Sequence, residues 1–212
     1  MQALPRVYGI LLYDNSCALD FMGPLAFLNQ LPDVEIVLIS DTTSVVSTGR
    51  PYGFPKEPFL GLALVPSYTI DTAPPLDVLL VPGGIGTRTL LADRRWQEYV
   101  SKVYPDLQYL LSVCTGSSIL ARSGVLDNKR ATSNKRAFEW VESLSSAVQW
   151  IKEARWVVDG NVWTSSGVEA GTDMAYAFVA SLYGDSVASH ITNILEYIPN
   201  TNPSWDPFAA VY

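Results

Sequence analysis

Apolar positions in this chain come in short runs, and the spacing inside successive runs switches between the period of a strand and that of a helix. Val7–Leu12 and Val34–Ser40 read as strands, with a helical stretch over Leu19–Leu31 between them and Pro24 placed in or near its first turn. Leu76–Val81 reads as the next strand and ends in Pro82-Gly83-Gly84-Ile85-Gly86, after which a helical segment runs through Tyr104. Leu107–Val113 is a buried strand in this reading, and Ile119–Gly124 a short helical run closed by glycine. A short strand near Ala131, a helix over Lys135–Ser143 and two final helices over Gly167–Leu182 and Asp185–Glu196 continue the alternation. Trp156–Asp159 and Val162–Ser165 flank Gly160-Asn161 as a hairpin. From 44 to 70 the turn signals Thr48-Gly49, Pro51, Gly53, Pro55 and Pro58 predict a hairpin or a loop-rich excursion. Residues 199–207, with three prolines, are expected to be extended.

Strands that alternate with helices predict an α/β chain: a mostly parallel central sheet with helices on both faces. At 212 residues, with no internal repeat and no linker-like stretch, residues 1–212 are expected to form a single domain. Apolar residues make up 48% and charged residues 17%, the balance of a packed globule rather than of a disordered chain. The formal net charge is −7 and the lysines and arginines are scattered, which argues against nucleic acid as a partner. Neither a signal peptide nor a membrane span is visible. Two cysteines, Cys17 and Cys114, make no disulfide framework, and free thiols point to a reducing cytoplasm.

In parallel sheets, sites lie at the carboxyl ends of strands. Three segments fall there. Cys114 sits in Ser112-Val-Cys-Thr-Gly-Ser-Ser118, where a strand turns sharply into a helix, as at a nucleophile elbow. A thiol at such a helix start is expected to have a lowered pKa, with N–H groups at hand for an oxyanion. A small buried core cysteine is the competing reading. The second segment, 82–86, has glycines that let backbone N–H groups approach a ligand, but it is neither a Walker loop nor a full dinucleotide fingerprint. The third holds Asp20, which at the start of a helix is either an acid–base group or a cap. No spacing suits a metal. The single histidine, His190, falls inside the last helix, so Cys114 is left without the usual base of cysteine peptidases.

Leu19-Asp20-Phe-Met-Gly-Pro24, Asp77-Val-Leu-Leu-Val-Pro-Gly-Gly84, Ser112-Val-Cys-Thr-Gly-Ser117 and Gly167-Val-Glu-Ala-Gly-Thr-Asp173 occur in that order. Together they resemble the ThiJ/PfpI group of the class I glutamine amidotransferase-like superfamily, and within it most closely the isonitrile hydratases. The resemblance implies a flavodoxin-like sandwich and a homodimer. It matches Cys114 to the nucleophile, Asp20 to the acidic residue that hydrogen-bonds it, and Thr115 to the threonine that follows the hydratase cysteine. Gly84, in the Gly83-Gly84 pair, corresponds to an oxyanion-hole glycine acting with the Thr115 N–H, and Val168 to an apolar residue facing the cysteine. The chain departs from the pattern at Ala131-Thr-Ser-Asn-Lys135, where Asn134 stands in a histidine's place and bears on how the substrate is bound.

The expected reaction needs no metal or organic cofactor. The Cys114 thiolate adds to the carbon of an isonitrile while Asp20 supplies the proton; water activated by Asp20 then releases an N-substituted formamide. Two alternatives remain open at this point: another lyase, dehydratase or cyclase on the same scaffold, or a non-enzymatic sensor that uses oxidation of Cys114. Some relatives carry a helix-turn-helix extension, and its absence here is expected to count against a transcription factor. The aromatic residues Tyr52, Phe54, Phe59 and Tyr68, and Trp205 and Phe208 of the tail, suit either an apolar small-molecule substrate or packing and dimer contacts.

Overall fold

A computed structural model describes residues 3–48 and 61–212. In chain order the elements are β1 (Val7–Leu11), α1 (Ala18–Leu28), β2 (Glu35–Ser40), β3 (Val46–Ser47), β4 (Ala63–Leu64), β5 (Tyr68–Thr69) and β6 (Val78–Val81). Then follow α2 (Thr87–Leu90), α3 (Arg94–Val103), β7 (Tyr109–Val113), α4 (Gly116–Arg122), β8 (Arg130–Ala131), α5 (Phe138–Glu142) and β9 (Gln149–Trp150). The chain closes through β10 (Trp156–Asp159), β11 (Val162–Ser165), α6 (Val168–Tyr183) and α7 (Asp185–Leu195). Seven strands form the central sheet in the order β10-β11-β7-β6-β1-β2-β5. Every pairing in it is parallel except that of the β10–β11 hairpin. This is the expected flavodoxin-like arrangement.

Side-chain alternation along the strands divides the interior in two. Leu79 and Val81 of β6 and Leu110 of β7 face the core shared with Trp96, Val100, Ile119 and Leu120 of α3 and α4. Val78 and Leu80, with Leu111 and Val113, face the opposite core, shared with Phe21, Phe27 and Phe178 of α1 and α6. A strand flanked by helices on both sides has no polar face, which is why β6 is buried at all four positions. β1 lies between β2 and β6, so the chain leaves it first toward one edge and later returns on its other side. That reversal opens a crevice beyond the carboxyl ends of β1 and β6, where a ligand site is expected.

Several boundaries differ from the sequence reading, each for a local reason. Pro24 lies inside α1, beyond its first turn, and its missing N–H leaves the Asp20 carbonyl without the usual helical donor. The helical segment after β6 is two helices, because Asp93 caps a new start by accepting the Arg95 N–H at 3.1 Å. The helix expected over Lys135–Ser143 begins as a 3-10 turn, Lys135–Ala137, and becomes α5 only at Phe138. Of the hairpin or loop-rich excursion expected within 44–70, the described residues show β3 and β4 paired antiparallel. Tyr52, Phe54 and Phe59 lie outside the described residues, while Tyr68 packs against the α3/α4 core. Among the described residues no helix is long and apolar enough to cross a membrane.

Candidate active site

Three strand ends meet around Cys114. The loop after β1 brings Cys17 and Asp20, the loop after β6 brings Gly83 and Gly84, and Cys114 itself follows β7. The Cys17 N–H donates to the Gly83 carbonyl at 2.8 Å and the Gly86 N–H to the Asn15 carbonyl at 3.1 Å, locking the first two loops together. Tyr13 Oη adds a bond to the Pro82 carbonyl at 2.5 Å.

Cys114 has φ of 58°, the left-handed conformation that a residue other than glycine adopts only when its surroundings enforce it. The surroundings are visible. Its N–H donates to the carbonyls of Ser165 and Ser166 at 3.2 and 2.8 Å, and its carbonyl accepts from Ser117 Oγ and Ser133 Oγ, both at 3.1 Å. Every backbone polar group of the residue is thus engaged, and the thiol is left aimed at the crevice. This is the elbow expected from the sequence.

Burial of the thiol, however, outweighs the helix start behind it. Burial pushes the Cys114 pKa well above the ordinary thiol value, and the negative charge of Asp20 pushes the same way; hydrogen bonding from Thr115 only partly opposes them. Cys114 is only 9% exposed, and α4 behind it is seven residues long. The lowered pKa expected from the elbow alone is therefore overturned by desolvation. Burial likewise raises Cys17, to about 11.

Asp20 is fully buried and is not a cap. Its Oδ2 accepts the N–H of Gly83 at 2.8 Å, across the crevice, while the N-cap position of α1 belongs to Cys17 with no side-chain bond. Oδ1 receives no N–H or hydroxyl. Burial raises the carboxyl to about 6, and the Gly83 N–H with the thiols of Cys17 and Cys114 holds it from rising further. A carboxyl poised near neutrality beside a thiol can take a proton from it and return it.

Neither glycine N–H is idle. A side chain at Gly83 would begin 2.8 Å from Asp20 Oδ2 and from the Cys114 Cβ, so only glycine lets the three approach. Gly84, at φ of 129°, donates its N–H to Thr115 Oγ1 at 3.0 Å, and Thr87 Oγ1 bonds both Thr115 Oγ1 (3.2 Å) and the Gly84 carbonyl (2.8 Å). The oxyanion donor expected of Gly84 is thus already occupied, by the side chain of Thr115. Thr115 orients this cluster as well as reaching the sulfur. A pocket of about 240 Å³ opens over Cys114 and includes Cys17, Gly84, Thr115, Asn134 and Arg88, the last stacked 4.2 Å over the Trp140 ring. Asn134 spends its Oδ1 on the Ala137 N–H at 3.2 Å, capping the 3-10 turn. Val168 opens α6 beside an adjoining cavity rather than in this pocket. His190 is exposed on α7 and takes no part.

The model of the DJ-1/PfpI family matches residues 6–181. The chain belongs to this family. An isonitrile hydratase of Pseudomonas putida is 34% identical over 192 residues, covering 90% of this chain and 78% of that protein. The transcriptional regulator GbdR of Pseudomonas aeruginosa is 26% identical over 91% of the chain, which spans only 51% of the regulator's length. Among solved structures, a ThiJ/PfpI family protein from Pseudomonas syringae superposes with TM-score 0.81 at 29% identity, covering 92% of this chain and 76% of that one. This DJ-1/PfpI member therefore resembles an enzyme along most of its length and a regulator along one part of the regulator.

The sequence did not reveal the anchoring of residues 197–206. Asp173, the last residue of the fourth motif, accepts Arg155 Nε at 2.7 Å, Tyr197 Oη at 2.6 Å and the Asn200 N–H at 2.9 Å. Lys135 Nζ, almost fully buried, lies 3.6 Å from Asp206 Oδ2 and bonds the Ala154 carbonyl at 2.7 Å; burial brings its pKa down to about 8 despite Asp206.

Proposed function

We propose that this protein is a cofactor-free hydratase acting on isonitriles, with Cys114 as nucleophile and Asp20 as the single proton carrier. The observation that carries the reading is the Asp20 carboxyl held between the Gly83 N–H and the Cys114 thiol, with a pKa near 6. Near pH 7 the pair rests as a carboxylate beside a thiol. The S–H proton passes to Asp20 and on to the isonitrile carbon, while the sulfur lone pair forms a bond to the same carbon. The product of this half is a thioimidate, R–N=CH–S–Cys114, with Asp20 ionised again. Water then adds to that carbon as Asp20 takes its proton. Delivery of the proton to nitrogen and expulsion of the sulfur give R–NH–CHO. One water is consumed, and the thiol regains its proton from the second O–H. Thr115 supports the developing charge on sulfur through its hydrogen bonding.

Incubation with cyclohexyl isonitrile is expected to release N-cyclohexylformamide catalytically. A rate equal to that of buffer would move the assignment to another reaction on this scaffold.

We infer that the working form is a homodimer in the cytoplasm binding a small molecule and no nucleic acid. The family resemblance and the exposed apolar residues Leu19 and Met22 on α1 and Ile85 beside the pocket support the dimer. Light scattering at micromolar concentration is expected to give about twice the 23.2 kDa chain mass, and a stable monomer would refute it.

A further inference from the structure

Next to the thiol pocket lies a second cavity of about 350 Å³, the size of a small-ligand site. Asn134 and Arg136 line both, so the two spaces adjoin. Ser166, whose carbonyl accepts the Cys114 N–H, is part of its wall. One side is the start of α6, with Val168 and Ala170; the other is the segment that Asp206 anchors, with Phe208 and Tyr212.

We propose that this cavity receives the N-substituent of the substrate, and that the substituent carries an aromatic ring. This rests on the hydratase reading and specifies its substrate class. The lining of the cavity selects that chemistry. Two of the cations that line it are matched within the protein, Lys135 with Asp206 and Arg155 with Asp173, and Arg136 and the exposed Glu169 line it as well. The surface of the cavity is mainly apolar by area, and Phe208 and Tyr212 line it together with Val168 and Ala170, a set that favours a flat ring. An isonitrile is linear at nitrogen, so its carbon can meet the Cys114 sulfur in the smaller pocket while the substituent extends into the larger one. Phe208 and Tyr212 are then specificity-determining residues. They are 55% and 52% exposed, so they hold little of the core.

The test is binding, which does not depend on turnover. Calorimetry compares N-(1-naphthyl)formamide, a product-shaped probe, with N-methylformamide on the wild type, Phe208→Ala, Tyr212→Ala and Phe208→Trp. The naphthyl probe is expected to bind at least tenfold tighter than the methyl one. Either alanine variant should weaken it about five- to tenfold and change the methyl probe less than twofold, with Phe208→Trp retaining affinity. Bound naphthyl probe should also slow carboxamidomethylation of Cys114 by iodoacetamide, read by peptide mapping. Equal affinity of the two probes, no loss in both alanine variants, or an unprotected Cys114 would each overturn the proposal. If isonitriles are not hydrated while the binding pattern holds, the hydratase reading alone falls and the aromatic pocket stands.

Discussion

Asp20→Asn is expected to give a protein that is more stable than the parent at pH 7.5 and at least ~10²-fold slower in turnover. Both effects come from the same buried carboxyl. Its folded-state pKa is raised to about 6 from an ordinary 3.8, chiefly by burial. Between those two values the folded protein binds more protons than the unfolded chain, so stability falls as pH rises through that window. Above about pH 6 the full cost is present, on the order of 3 kcal/mol for two pKa units. Asparagine keeps an acceptor for the Gly83 N–H and has no charge to bury, so its stability does not follow that titration. The advantage of the variant should therefore appear above about pH 6 and vanish below about pH 4. Thermal melts at pH 4 and pH 7.5 check this. A variant that is less stable by the same margin at both would show that the carboxylate is structural. An amide cannot take and return the thiol proton, so wild-type turnover in the variant would remove Asp20 from the mechanism.

Asp173→Asn is expected to cost about 3–5 kcal/mol, because it leaves the Arg155 guanidinium buried opposite a neutral amide. The carboxylate joins three separated parts of the chain: α6, on which it sits; Arg155, beside β10; and Tyr197 with Asn200, past α7. Arg155 passes the connection on, since its N–H donates to the Pro203 carbonyl at 2.7 Å. In urea, the midpoint should fall while the slope stays that of the parent. A loss below about 1 kcal/mol would mean that solvent reaches the pair and screens it. Replacing both partners together by apolar residues should recover much of the loss, since no unpaired charge then remains.

Much of the site was legible in the sequence because its parts follow strands whose ends a parallel sheet must gather on one edge. Asp20, Gly83 and Cys114 lie far apart in the chain, yet Gly83 and Cys114 closely follow apolar runs and Asp20 stands at the start of the helix after the first strand, and that placement is a local signal. What the chain does not encode locally is desolvation. The helix start behind Cys114 reads as an activating dipole, whereas the apolar layer around the sulfur, which raises its pKa, is assembled from β7, α1 and α6 only on folding. Asp20 reads as a cap as readily as an acid–base group for the same reason: its partner is Gly83, sixty-three positions away. The role of Gly84 shifts because Thr115 turns its hydroxyl onto the Gly84 N–H. Asp173 ends the fourth motif but shows nothing there of its partners, and Lys135 and Asp206 give no local signal, since an ordinary surface charge and a buried paired one look alike until their partners are placed.

The most direct test of Cys114 as nucleophile, with Asp20 returning the proton, is the mass of the protein quenched in acid during turnover of an isonitrile. The account predicts an added mass equal to one isonitrile, mapped to the peptide carrying Cys114, absent from Cys114→Ala and accumulating in Asp20→Asn if any slow addition persists. Formamide produced with no adduct on Cys114, and at an undiminished rate by Cys114→Ala, would contradict it.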